Sequence, residues 1–115
     1  MTNAVGKSFA ALWKNHDGMR DLFINYWKQV ARTFKNSSYV IAYEIMNEPW
    51  PGDHFKDPLV MVPGLSELIN MQPAYDIIAT EIRNIDPDHS ICFEPVTWLN
   101  FLKAGFTHPP GGQKY

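Results

Sequence analysis

A short polar segment, Asn47-Glu48-Pro49, directly follows an apolar run and is the first candidate for chemistry. The run, Tyr39–Met46, is rich in β-branched and aromatic residues, which predicts a strand buried on both faces, as in parallel sheets. Enzymes built on such sheets place their active sites at the carboxyl ends of the strands. Glu48 is therefore a candidate general acid and base, and Asn47 a neutral donor for a substrate hydroxyl.

The spacing along this strand predicts a second carboxylate on the same face as Glu48. Alternation by two residues gives one face as Val40, Ala42, Glu44, Met46 and Glu48. Burial of carboxyl groups is costly unless they are hydrogen-bonded, and it raises their pKa, which suits a proton donor near neutral pH. Pro49 also favours an extended backbone at Glu48. The alternative is that the segment only ends a strand in a turn, and three residues alone do not decide between the two.

The elements around this strand alternate between helix and strand. Helical periodicity predicts an amphipathic helix over Asp17–Lys35, with Asp17 capping its first turn, and a second helix from Pro73 to Ile85. Ser90–Val96 is predicted as a second short apolar strand, and 106–115 as loop. This order predicts a parallel α/β architecture. The apolar stripe of the first helix is Leu22, Phe23, Tyr26, Trp27, Val30, Ala31 and Phe34.

Composition excludes several other classes of protein. The 115 residues are 45% hydrophobic and 19% charged with a net charge of −2, which is typical of a globular chain without the basic face of a nucleic-acid binder. No apolar run reaches the roughly 20 residues of a membrane helix. No signal peptide is visible near Met1, and the single cysteine, Cys92, excludes an intrachain disulfide and a thiolate-clustered metal site. No protein partner is predicted.

Three motifs, in matching order, resemble the endoglycoceramidase branch of glycoside hydrolase family 5, the cellulase-like glycosidases. They are Tyr43–Asp53, Phe93–Trp98, and Gly105-Phe106 together with Pro110-Gly111-Gly112. The family has a (β/α)8 TIM barrel of about 250 residues. The resemblance therefore implies that residues 1–115 are a partial catalytic domain. It would cover roughly the helix before the fourth barrel strand through the fifth strand.

The resemblance also implies roles for individual residues. Glu48 matches the acid/base at the end of the fourth strand, and Asn47 matches the asparagine that contacts the sugar 2-hydroxyl. Glu44 matches a supporting carboxylate beneath the site. Glu94 and Trp98 match the end of the next strand, near the substrate, without a secure role. Trp50 and Trp98 follow strand ends and are candidates for stacking on a sugar ring, although each could instead pack within its loop.

The implied activity is retaining hydrolysis of the bond between an oligosaccharide and ceramide, with no metal or organic cofactor. Retaining glycosidases need a second carboxylate as nucleophile, and in the family it lies on the seventh strand, outside this chain. The chain alone is therefore expected to be inactive. The alternatives are another family 5 β-glycosidase acting on a glucan or a simpler glycolipid, and a non-catalytic truncated product.

Three further features leave their meaning open. Asp53, His54 and Asp57 could suggest a metal site, but such residues in an exposed loop are more often solvated. The predicted loop from Asp53 to Met71 carries apolar residues that suit either a ceramide tail or core packing. A sequon at Asn36 is consistent with a secreted or lysosomal parent, but such triplets are common and the compartment stays undetermined.

Overall fold

Two parallel strands joined through a helix form the centre of the structure, a computed structural model that describes residues 2–96 and 105–112. Ala42 pairs with Ser90 and Glu44 with Cys92, so the predicted parallel α/β order is confirmed. Short 3₁₀ turns lie at His16–Gly18, Pro58–Met61 and Pro110–Gly112. The longer elements are α1 (Asn3–Lys14), α2 (Met19–Phe34), β1 (Ala42–Glu44), α3 (Gln72–Arg83) and β2 (Ser90–Cys92).

Helices cover one face of the sheet and the other face is open. Tyr43, Ile45 and Ile91 are buried in the hydrophobic core, whereas Glu44 and Cys92 are exposed on the opposite side. The prediction of a strand buried on both faces over Tyr39–Met46 is therefore wrong in both extent and burial. The second strand is likewise shorter than Ser90–Val96. Of the first predicted strand, Tyr43 and Ile45 lie on the covered face, whereas Tyr39 and Ile41 are 96% and 88% exposed. No described element packs on the other face of the sheet.

α3 lies across the core and confirms the second predicted helix. Ile78 and Ile82 are fully buried on its inner face, next to the equally buried ring of Tyr75. A π-helical turn at Glu67–Met71 precedes it, so helix begins before Pro73 and the predicted loop to Met71 is too long. Pro73 has no N–H to donate to the Ile69 carbonyl four residues back. That carbonyl accepts a hydrogen bond from Lys14 Nζ at 3.4 Å instead.

α2 differs from the first predicted helix at its start and in its buried face. Asp17 lies in the preceding turn with a φ of 52°, and the Asn15 side chain caps α2 instead, through the backbone N–H groups of Arg20 and Asp21. Ile24 is buried, whereas Leu22 and Tyr26 are 66% and 59% exposed. The helical stripe is thus rotated relative to the prediction, because only one edge of it meets the core.

α1 is a 12-residue helix that the sequence analysis did not predict. Thr2 caps its first turn, and Asn15 ends it in the left-handed conformation. Trp13 projects from it into the core, edge-on to Tyr75 with ring centroids 5.7 Å apart. Trp27 of α2 packs similarly against Tyr43 of β1, at 6.1 Å. The two tryptophans therefore connect helices α1 and α2 to the strand and helix that position the candidate site.

Candidate active site

Glu48 lies four residues beyond the end of β1, exposed and with an unusual backbone. Its φ is 48°, in the left-handed region that non-glycine residues seldom adopt and that costs about 1–3 kcal/mol. The predicted extended conformation is therefore wrong. The predicted burial of this carboxyl is also absent, since Glu48 is exposed to solvent beyond the carboxyl end of β1. Something else in the structure must hold this backbone in place.

The carboxyl group of Glu94 holds it. Glu94 Oε2 accepts the backbone N–H of Glu48 at 2.9 Å, although the two residues are 46 positions apart. The strand register explains the meeting. Glu44 pairs with Cys92, and Glu94 follows Cys92 by two residues, so its side chain comes to the same face. A hydrogen bond of this kind contributes about 0.5–1.5 kcal/mol and offsets part of the backbone strain at Glu48.

Glu44 completes a chain of three acidic residues at this edge. A hydrogen bond between the Glu44 and Glu94 carboxyl groups raises the pKa of Glu44, and partial desolvation and the negative charge of Glu94 raise it further. Like charges in contact disfavour ionisation of both carboxyl groups, which is one reason why the pKa of Glu44 shifts upward. Glu44 is the member of the pair whose pKa is raised. The role of Glu44 as a supporting carboxylate, which the resemblance implies, stays a prediction.

The backbone that follows Glu48 is anchored by side chains from two helical segments. Pro49 and Pro51 are both buried. Trp13 Nε1 donates to the Trp50 carbonyl at 2.8 Å. Ser66 Oγ and Asn70 Nδ2 donate to the Pro51 carbonyl at 2.8 and 2.9 Å. Prolines remove N–H groups, so this loop is held through its carbonyls.

The other predicted site residues are not all gathered at Glu48. Asn47 is exposed beside it. Trp50 is half-buried, with its ring edge-on to His54 at 5.4 Å and its Nε1 donating to His54 Nδ1 at 3.3 Å. Trp98 lies outside the described residues. A signal for the Glu48–Glu94 contact was present in the sequence, because each strand is followed by a Glu-Pro pair, Glu48-Pro49 and Glu94-Pro95.

The candidate metal residues Asp53, His54 and Asp57 serve the loop locally. Asp53 Oδ1 accepts the N–H of Lys56 at 3.3 Å, and Asp57 Oδ1 accepts that of Leu59 at 3.1 Å. Within residues 2–96 and 105–112, no three His, Cys, Asp or Glu side chains are grouped as metal ligands. These side chains therefore organise the loop after Glu48.

A buried polar network beneath β1 was missed by the sequence analysis. The Tyr43 hydroxyl donates to Asp86 Oδ2 at 2.6 Å, and His89 Nδ1 contacts the same oxygen at 2.7 Å. His89 Nε2 lies 3.2 Å from the Ser37 carbonyl. Both ring nitrogens thus face acceptors, and only the protonated imidazolium donates to both. Asp86 is completely buried, and the network ties β1 to the turn that leads into β2.

The pKa values of this network follow from its hydrogen bonds. Burial raises the pKa of Asp86, but the bonds from Tyr43, from the backbone of His89 and Asp88 and from the His89 ring outweigh it and lower the pKa from 3.8 to about 2. The bond to Asp86 raises the pKa of His89 above 6.5, although desolvation opposes it. Burial and the Asp86 contact raise the pKa of Tyr43 to about 12.

These shifts predict that the free energy of unfolding is largest between about pH 4 and pH 6.5. The lowered pKa of Asp86 contributes about 2 kcal/mol that is present above pH 3.8 and lost as the pH falls towards 2. The raised pKa of His89 contributes stability below pH 6.5 that is lost as the pH rises through its folded value. Urea unfolding midpoints at pH 2, 5 and 8 measure the loss of stability at low pH from Asp86 and at high pH from His89. A midpoint that rises steadily to pH 8 would contradict the His89 part.

Parallel strands linked through a helix, with carboxyl groups gathered beyond the carboxyl end of both strands, are the arrangement of a sector of an α/β barrel enzyme. The chain belongs to glycosyl hydrolase family 5, since the family model described as "Cellulase (glycosyl hydrolase family 5)" matches residues 7–114. The family implies a (β/α)8 barrel, and the observed unit is consistent with part of one. The resemblance inferred from the three motifs is thereby confirmed.

Two relatives extend this finding. Over 114 residues, or 99% of this chain, it is 45% identical to a protein named endoglycoceramidase from Hydra vulgaris and 44% identical to one of the same name from Cyanea nozakii. The chain spans 22% of the length of each of these curated relatives. Within the described ranges, none of the helices combines the length and the apolar character required to cross a membrane.

Proposed function

We propose that this chain supplies the acid/base part of the active site of a retaining glycosidase that releases oligosaccharide from the ceramide of glycosphingolipids. The observation that carries the proposal is the backbone of Glu48, held beyond the end of β1 with a φ of 48° by the carboxylate of Glu94. A strained residue fixed at a strand end is typical of a catalytic position. The two endoglycoceramidase relatives support the substrate class.

In this proposal the segment runs from the helix before the fourth barrel strand, α2, to the fifth strand, β2. Glu48 protonates the glycosidic oxygen while a carboxylate outside this chain attacks the anomeric carbon. Glu48 then takes a proton from water, and the water hydrolyses the glycosyl-enzyme intermediate. The two carboxyl groups would lie about 5–5.5 Å apart, as retention requires. This chain alone lacks the second group and is expected to be inactive.

The remaining sugar-side roles are proposals that rest on the resemblance and on the order of the residues along the chain. Asn47, exposed next to Glu48, is proposed to donate to the sugar 2-hydroxyl. Trp50 and Trp98 are proposed to offer aromatic faces to the sugar rings. Glu94 is the exception among the residues predicted to contact substrate. Its carboxyl group already binds the backbone of Glu48 and the side chain of Glu44, so a direct contact with substrate would compete with both.

The loop after Glu48 offers an apolar surface for the lipid part. Phe55, Leu59 and Val62 are 58%, 62% and 46% exposed, whereas Val60 between them is buried. Exposed aromatic and aliphatic groups of this kind suit the hydrocarbon chains of ceramide. The loop is anchored through the carbonyls of Trp50 and Pro51, so this surface starts from a fixed point next to the acid/base.

The test uses a chimera in which this chain replaces the aligned 114 residues of the Hydra vulgaris endoglycoceramidase. With a glycosphingolipid as substrate, the expected products are intact oligosaccharide and ceramide, whereas the 115-residue chain alone releases neither. Soluble β-glucan is the competing substrate. If the chimera cleaves glucan and leaves the glycolipid unchanged, the substrate class is wrong although the family is not. Turnover by the chain alone would contradict the assignment of the nucleophile to another segment.

A further inference from the structure

Glu94 makes three contacts at the site, two through its carboxyl group and one through its backbone carbonyl. Its Oε2 accepts the Glu48 N–H at 2.9 Å, and its carboxyl is hydrogen-bonded to that of Glu44. Its own backbone carbonyl accepts the Tyr75 hydroxyl at 3.5 Å. Glu94 is thus connected to β1, to the loop after β1 and to α3. It is only half-buried, so these contacts restrict a side chain that would otherwise be mobile.

The contact to Glu48 matters because of the conformation that it stabilises. Glu48 has a φ of 48°, and Pro49 after it is fully buried. The residue is therefore fixed on its carboxyl side by packing and on its amino side by one hydrogen bond. Loss of that bond leaves the left-handed backbone without its polar partner and allows it to relax towards the common extended region. Such a relaxation would displace the base of the Glu48 side chain.

Glu44 has a separate part in this arrangement. Its exposed carboxyl group lies on the open face of β1 and is hydrogen-bonded to the carboxyl group of Glu94. This hydrogen bond orients the Glu94 carboxyl group, so that one oxygen remains available to the Glu48 N–H. The titratable groups that face Glu94 are therefore Glu44 from β1, Glu48 from the loop and the Tyr75 hydroxyl from α3.

We propose that Glu94 is a positioning residue that holds Glu48 in its left-handed backbone conformation and, with Glu44 as its own support, sets where the acid/base side chain begins. This inference rests on the proposed function of Glu48. It replaces the sequence-based expectation that Glu94 contacts substrate. The contact requires an acceptor oxygen at position 94 and does not require a negative charge, which separates it from a catalytic role.

Two substitutions in the chimera distinguish these roles. Glu94→Gln keeps an acceptor oxygen, and we expect kcat within about fivefold of the unsubstituted chimera. Glu94→Ala removes the acceptor, and we expect kcat to fall by roughly 10²-fold with KM changed by less than about threefold, since the reacting geometry is lost and binding is not. Glu81→Ala, on the half-exposed side of α3, is the matched control with unchanged rates.

Other outcomes of these assays overturn the proposal. A rise in KM at constant kcat for Glu94→Ala would show a direct contact with substrate. Equal loss in the Gln and Ala variants would show that the charge itself acts in the reaction. If Glu48→Gln retains the full rate, the acid/base assignment fails. The positioning contact is then still decided by the following measurement.

The backbone amide of Glu48 reports on the contact without any turnover. In ¹H–¹⁵N spectra of the 115-residue chain, an N–H bound to a carboxylate resonates downfield of one exposed to water. We expect this resonance to move upfield in Glu94→Ala and to stay close to its original position in Glu94→Gln. An unchanged Glu48 amide in Glu94→Ala overturns the inference, whatever the chimera does.

Discussion

Replacement of Glu48 by glutamine in the chimera is expected to lower kcat/KM for glycosphingolipid hydrolysis by about 10³-fold. Glutamine has nearly the same shape and keeps the backbone N–H that Glu94 accepts at 2.9 Å. It cannot protonate the glycosidic oxygen or take a proton from water, and both steps of the mechanism need this transfer. The measurement is the initial rate of oligosaccharide release at saturating and limiting substrate.

A change of leaving group separates lost chemistry from lost structure. An aryl β-glycoside with a nitrophenolate leaving group needs no proton in the first step. The Glu48→Gln chimera should therefore release nitrophenolate in a rapid burst and then turn over slowly, because the second step still lacks its base. Glu81→Gln is the matched control, because Glu81 lies near the C-terminal end of α3 and forms an ion pair with Lys28. If the Glu48→Gln chimera hydrolyses the glycolipid at the original rate, Glu48 is not the acid/base.

The sequence predicted the fold best where one periodic face meets the core. The buried stripe of α3 was predicted from helical spacing and is confirmed by Ile78 and Ile82. The parallel pairing was predicted from the order of the elements and is confirmed by the register of Ala42 with Ser90. Both depend on hydrophobic periodicity, which reflects burial directly.

Features set by single contacts between distant residues were not predictable in the same way. The cap of α2 comes from Asn15 and not from Asp17, because the chain turns through three left-handed residues, Asn15, Asp17 and Gly18, before the helix. The positive φ of Glu48 depends on Glu94, whose proximity is known only once the strands are in register. Local propensity favoured an extended Glu48, and the tertiary contact overrides it.

The candidate site likewise has features that the sequence predicts and features that depend on contacts between distant residues. The motif Asn47-Glu48-Pro49 pointed to the position of the site, since a polar segment after an apolar strand is visible in the sequence. The link from Glu44 to Glu94 was not visible, because Glu44 ends β1 and Glu94 follows β2, so that their contact depends on the register of the two strands. Half-burial of Trp50 beside His54 likewise depends on the path of a loop that no periodicity describes.

Replacement of Asp86 by alanine is expected to lower the free energy of unfolding by about 3 kcal/mol at pH 6. Asp86 is fully buried and accepts hydrogen bonds from Tyr43, from the backbone of Asp88 and from His89. Alanine leaves the Tyr43 hydroxyl and the imidazolium of His89 without their acceptor in the interior. The measurement is urea unfolding followed by tryptophan fluorescence, because Trp27 packs against Tyr43 at 6.1 Å.

Two controls apply to Asp86→Ala: a substitution of the neighbouring Asp88, and the same measurement at low pH. Asp88→Ala alters an exposed carboxylate two positions away and should change the free energy of unfolding by no more than about 0.5 kcal/mol. Near pH 2 the difference between Asp86→Ala and the original chain should shrink by about 2 kcal/mol, since the Asp86 carboxylate becomes protonated there. A difference that stays constant from pH 6 to pH 2 would mean that Asp86 stabilises the base of β1 through packing and not through its charge.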